Sequence, residues 1–102
     1  MKKFDLGIIG LGVMGQNLLL NIESRGFSVA GFDKDKSKIT HHAGQIFETA
    51  DLQEFISALQ SPKVILFMIP AGAAVDDVIE ELLPHLSQGD ILIDAGNSYF
   101  NP

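Results

Sequence analysis

Near the N-terminus, Gly10-Leu11-Gly12-Val13-Met14-Gly15 places glycines at the first, third and sixth positions of a six-residue run. That spacing suits phosphate binding where it joins a strand to a helix. Gly10 makes a tight turn, Gly12 lets a pyrophosphate approach the backbone, and Gly15 lets the helix lie close to the strand. The helix N-terminus adds outward amides and a positive dipole end. Asp33 follows 18 residues after Gly15, near the spacing of about 20 at which an acid reaches the adenine-ribose hydroxyls of NAD. The glycine pattern alone is weak, and glycines that merely shape a turn are the plainer reading. A strand before it, a helix after it and an acid closing the second strand give it weight.

Asp33 also bears on cofactor choice. It would repel the 2′-phosphate of NADP, at a cost on the order of 4 kcal/mol for like charges about 4 Å apart at an effective dielectric of 20. Lys34 offsets part of this and Asp35 adds to it. The balance favours NAD. The plainer reading of Lys34, Asp35 and Lys36 is a solvated charged turn.

The elements needed to hold such a site are present in order. Phe4 to Ile9 reads as a buried strand and Val13 to Arg25 as a helix, with Gly26 at its C-terminal end. Phe27 to Phe32 is a second strand, Lys36 to Ala43 a short helix closed by Gly44, and Gln45 to Phe47 a short third strand. Thr49 or Asp51 caps a helix over about 52–60. Val64 to Ile69 is an apolar run suited to a strand covered on both faces. Ala74 to Leu86 is a helix that Pro84 kinks or ends early, and Ile91 to Ala95 is the last strand. Strands alternating with helices predict a doubly wound parallel α/β sheet of the Rossmann-like kind, with spatial order 3-2-1-4-5 and no sixth strand.

Ligands of such sheets bind beyond the strands' carboxyl ends, which nominates three stretches: Gly10 to Gly15, Ile69 to Gly72, and Gly96 to Ser98. Asn97 can donate and accept hydrogen bonds beside a bound nicotinamide, or simply form a turn after Gly96. Asp94, inside the last strand, reads as structural. His41 and His42, adjacent on the short helix, point apart and make a poor metal pair, and no metal site is expected. His85 reads as a surface or capping residue, and Leu18, Leu19 and Ile22 as core.

Composition agrees with this frame. The chain has 102 residues, 46% of them apolar, enough for one folded domain. Seven basic against thirteen acidic residues give a net charge of −6, which argues against a nucleic-acid surface. Without cysteine, disulfides, thiolate metal sites and cysteine nucleophiles are excluded. Glycines break the N-terminal apolar stretch and no cleavage site follows, so no signal peptide is read. The apolar run Val64 to Val75 is too short to span a bilayer. A cytoplasmic protein without membrane contact is expected.

Three stretches resemble the N-terminal domain of 6-phosphogluconate dehydrogenases: Gly10 to Leu18 with Asn21 to Gly26, Phe67 to Gly72 with Val75-Asp76, and Gly89 to Ser98. The resemblance covers essentially the whole chain. It implies an oxidoreductase of the pentose phosphate pathway and of gluconate utilization, which oxidatively decarboxylates 6-phosphogluconate to ribulose 5-phosphate with NADP. It implies cofactor contacts at Gly10, Leu11, Gly12, Val13, Met14 and Gly15, then at Asp33, Lys34 and Asp35. Further contacts fall at Ile69, Pro70 and Ala71, and Asn97 meets both the nicotinamide side and the substrate. The phosphorylated sugar acid would lie at Asn97 and Ser98. A Lys and a Glu carry the proton transfers in this family, and neither has a counterpart in these 102 residues, so no catalytic residue is assigned and the chain alone is expected to be inactive. It is expected to be the N-terminal NAD(P)-binding fragment of a longer homodimeric enzyme.

Two departures matter. The family's NADP-linked pattern after the second strand is Asn-Arg-Thr, where this chain has Asp33-Lys34-Asp35, and Pro70 stands where a Lys is frequent. Both favour NAD. The alternatives are a related β-hydroxyacid dehydrogenase, which commonly carries Asp-x-Ser-Thr where this chain has Gly96-Asn97-Ser98, and a stand-alone dinucleotide-binding module without catalysis.

Overall fold

The computed structural model describes residues 3–40, 42, 44–68 and 73–94. The elements are β1 (Leu6–Ile9), α1 (Val13–Ser24), β2 (Val29–Phe32), β3 (Ile46–Thr49), α2 (Leu52–Ala58), β4 (Val64–Phe67), α3 (Ala73–Leu82) and β5 (Ile91–Asp94). All strand pairs are parallel, in the order β3-β2-β1-β4-β5. This is the predicted doubly wound α/β sheet. Its register sets Ile9 beside both Phe32 and Phe67, with Thr49 and Asp94 as the next partners outward. The carboxyl ends of all five strands therefore form one level rim, and the turns after β1 and β2 start side by side.

Side-chain alternation divides the core. Ile9, Ala30, Phe32, Ile65 and Phe67 face α2 and α3 and pack with Phe55, Ile56, Leu59, Val78 and Leu82. Ile8, Val29 and Ile46 face α1 and pack with Leu11 and Leu19. Leu18 and Ile22 lie half-buried against this second cluster. Glycines in the strands admit bulky partners. A Cβ on Gly7 would lie 2.5 Å from the Phe55 ring, and one on Gly31 would lie 2.9 Å from Leu11. On β5, Leu92 joins the α2/α3 side, whereas Ile91 and Ile93 face the other way and are 51% and 43% exposed.

Several boundaries differ from the sequence reading. The helix expected over Lys36 to Ala43 is a single 3-10 turn, Lys36–Lys38. The Asp35 side chain caps it, and Ile39 is already extended. The buried Glu48 side chain takes the Thr40 N–H at 2.9 Å, an amide that a continuing helix would have used. His42 therefore lies on no helix, and His41 is outside the described residues. β3 runs to Thr49 rather than Phe47. α2 is capped by Asp51, whose side chain accepts from the Gln53 and Glu54 amides. It ends at Ala58, because Leu59 turns out to bridge Phe4 and becomes buried. Pro84, which lacks an N–H, sits in a 3-10 turn, Leu83–His85, that closes α3.

Candidate dinucleotide site

Gly10 has φ +104, a conformation that glycine tolerates best, and it carries the chain sharply off β1. Its N–H donates to the Phe32 carbonyl at 2.9 Å, so the turn begins while still tied to β2. A Cβ on Gly15 would stand 1.9 Å from the Gly10 carbonyl oxygen. The helix is thus pressed onto the turn it leaves, as predicted for the last glycine. Gly12 is different. It caps α1 with no side-chain hydrogen bond, has ordinary extended angles, and a Cβ there would meet nothing within 4 Å. Space is left at the one loop glycine that must let a ligand near the backbone. The first turn of α1 contains no acidic residue, so its dipole end is not neutralised from within the helix. Leu11 is buried, while Val13 is 79% exposed and Met14 half-exposed beside the opening.

Asp33 stands next to this turn, and its role is wider than its spacing suggested. One carboxylate oxygen accepts the Leu11 N–H at 2.9 Å, and the other accepts the Asp35 N–H at 2.9 Å. The side chain therefore braces the glycine turn and the turn after β2 together. Each carboxylate oxygen can accept more than one bond, so capacity remains for ribose hydroxyls.

Lys34 reaches away from the loop to α3, where its Nζ donates to Glu81 Oε1 at 2.7 Å. That hydrogen bond, with the Glu81 and Asp77 charges, raises the Lys34 pKa above its ordinary value. Asp35 turns back on its own backbone. It accepts from the Ser37 amide and hydroxyl at 3.0 and 2.6 Å, which lowers its carboxyl pKa.

Among the described residues, two clefts open at the rim. One, of about 320 Å³, is floored by Ile9 and Phe32 and lies between Gly10, Asp33 and Lys34 on one side and Asp77 and Val78 of α3 on the other. The second, of about 290 Å³, lies along α1 between Met14, Asn17, Leu18, Asn21 and Met68. Ile9, Phe32 and Val78 belong to the α2/α3 layer, and Leu18 and Met68 to the α1 layer. The clefts therefore occupy opposite faces of the sheet, and the glycine turn lies between them. Two nucleosides joined by a pyrophosphate have that outline, and the open backbone at Gly12 fits the joint.

One cluster beside the loop was not anticipated. Glu48, nearly fully buried on β3, accepts from Gln16 Nε2 at 2.8 Å and from the Thr40 amide. Its second oxygen faces His42 Nε2 at 3.2 Å, and the same nitrogen lies 2.8 Å from Gln16 Oε1. These residues pin the first turns of α1 to β3. The available signal was an acid inside the short strand Ile46–Thr49. The nominated residues Ile69, Pro70, Ala71, Asn97 and Ser98 lie outside the described residues.

A family model described as the NAD binding domain of 6-phosphogluconate dehydrogenase matches residues 5–102. The chain belongs to this family. It is an NAD(P)-binding domain, as the loop, the braced acid and the paired clefts also indicate. Over 98% of its length it is 47% identical to the NADP(+)-dependent, decarboxylating 6-phosphogluconate dehydrogenase of Bacillus subtilis, and it covers 22% of that protein. The decarboxylating enzyme of Klebsiella pneumoniae is 43% identical over the same share of this chain, again with 22% of the relative covered. The chain thus spans about a fifth of the length of these relatives.

A solved structure of Plasmodium falciparum 6-phosphogluconate dehydrogenase, described in apo form and in complexes with its cofactor NADP+ and its substrate 6-phosphogluconate, superposes with a TM-score of 0.74. It is 36% identical, over 88% of this chain and 21% of that one. A probable 2-hydroxyacid dehydrogenase from Rhizobium etli, 20% identical with a TM-score of 0.57 over 86% of this chain and 26% of its own, shares the fold. Among the described residues no helix is long and apolar enough to cross a membrane.

Proposed function

We propose that residues 1–102 form the cofactor domain of an oxidoreductase that decarboxylates 6-phosphogluconate to ribulose 5-phosphate, and that they bind NAD in preference to NADP. The observation that carries this is the open glycine turn with Asp33 bonded to the Leu11 amide. The names of the relatives support the substrate, and the acids around the first cleft support the cofactor preference. The dinucleotide, when bound, accepts the hydride.

The chain's own residues do the holding. The backbone from Gly10 to Gly15 and the α1 dipole receive the pyrophosphate. Asp33 receives the adenine ribose, while Lys34 and Asp35 border it. Ile69, Pro70 and Ala71 are assigned as further cofactor contacts. Asn97 orients the nicotinamide side and, with Ser98, meets the phosphorylated sugar acid. The 102 residues are assigned the cofactor and no proton-transfer group. The complete protein is proposed to be a cytoplasmic homodimer.

The test is Gly12→Val in the intact protein, with calorimetric titration of NAD and NADP. The new side chain has room within the fold and stands where the pyrophosphate must pass. The thermal midpoint should fall only by the few degrees expected of a β-branched N-cap, while binding weakens by about a hundredfold, roughly 2.7 kcal/mol. Undiminished NAD binding by a folded Gly12→Val variant would overturn the reading. Tighter binding of NADP than NAD by the unsubstituted protein would overturn the cofactor preference.

A further inference from the structure

The charges beside the first cleft are shared between two elements 47 residues apart in sequence. Lys34, on the turn after β2, is the cation placed to meet a 2′-phosphate on the adenine ribose. Its ammonium is instead held by Glu81 at 2.7 Å, with Asp77 lining the same cleft one turn earlier on α3. We infer that Glu81 is a specificity-determining residue, which withholds the Lys34 ammonium from the 2′ position and so favours the dinucleotide with a free 2′-hydroxyl. The inference rests on reading this cleft as the adenosine end of the dinucleotide site.

Three observations carry it. Lys34 is paired with Glu81 of α3, while the acids of its own turn bond to backbone and to Ser37: Asp33 takes the Leu11 and Asp35 amides and Asp35 the Ser37 amide. The pairing also raises the Lys34 pKa, so the charge is present at any physiological pH and its position decides its effect. Finally, Asp33 and Asp77 line the cleft and Glu81 lies against Lys34 beside it, so among the described residues the acids here outnumber the lysine and an incoming 2′-phosphate meets a field of its own sign. Glu81 therefore acts twice, by its charge and by its hold on Lys34. Both side chains are about half exposed, which limits the effect to the scale of a surface pair.

The test is calorimetric titration of NAD and NADP against the intact protein, its Glu81→Gln, Lys34→Gln and doubly substituted variants, and Gly12→Val. Glu81→Gln should raise NADP affinity relative to NAD by about two- to fivefold, with the thermal midpoint little changed. The gain should shrink in the Lys34→Gln background and at high salt. A gain of full size without Lys34 would overturn the withholding role, and an unchanged ratio in Glu81→Gln would overturn the inference as a whole. If NAD binds and Gly12→Val weakens it by about a hundredfold, either of those results counts against Glu81 alone. If Gly12→Val leaves binding intact, the site reading itself fails.

Discussion

On the α2/α3 face of the sheet, Phe55, Ile56, Leu59, Val78 and Leu82 lay large side chains over Ile9, Ala30, Phe32, Ile65 and Phe67. The α1 face buries a smaller set around Ile8, Leu11, Leu19, Val29 and Ile46. It relies on close backbone approach at Gly15, on Leu11 and Leu19 against Gly31, and on the hydrogen bonds among Glu48, Gln16 and the Thr40 amide. One face is held by bulk and the other by fit. The second carries the glycine turn, and the difference has a reason. A ligand needs backbone it can approach, and bulky packing would fill that space.

Substitutions can break or sharpen this contrast. The largest expected effect is Phe55→Ala, which empties the side chain seated on Gly7 and beside Phe32. It should cost about 3–5 kcal/mol in chemical denaturation, with NAD affinity nearly unchanged under conditions where the variant is folded. Affinity falling in step with stability would show that the faces are not independent. Gly15→Ala should cost about 3 kcal/mol, because a Cβ 1.9 Å from the Gly10 carbonyl oxygen can be relieved only by moving backbone. NAD affinity should also fall by about tenfold or more, since the turn itself must shift. Glu48→Gln keeps the shape but loses a charged acceptor shared by Gln16 and the Thr40 amide. It should lose about 1–2 kcal/mol by denaturation, and no loss would mean that the charge of Glu48 adds nothing to the hold of α1 on β3.

The smallest effect belongs to Asp90, at the opposite rim. Amides of Ser87 and Lys63 hold its carboxyl below the usual carboxylate range. A depressed carboxylate pKa adds stability that is complete above the unfolded value, near 3.9, and lost as pH falls through the folded one. The midpoint difference between the unsubstituted protein and Asp90→Asn should therefore close in acid, while NAD affinity at neutral pH stays equal. A gap that did not narrow as pH fell below the unfolded value would remove Asp90 from the account.

The strand order, the sharp turn at Gly10 and the close helix packing at Gly15 were legible in the sequence, because alternating elements and glycine spacing are local signals. The brace made by Asp33 was legible only by half. Its spacing pointed to the ribose, but nothing in spacing shows that Leu11 and Asp35 would donate to it. The missing helix after Lys38 has a similar cause. Residues 36 to 43 suit a helix locally, and Glu48 overrides that preference from another strand. The Lys34–Glu81 pair joins residues whose separation carries no periodic signal.

The position of Asp33 has a consequence for how such a domain can change. One side chain braces the glycine turn and is also the one proposed to receive the ribose. Replacing it to admit a different dinucleotide would loosen the turn that every dinucleotide needs. Cofactor preference is therefore more readily altered from positions that leave the Leu11 amide its acceptor, such as Lys34 and Glu81. On the proposed reading, the residue nearest the choice is the one least free to vary, and its neighbours become the adjustable parts.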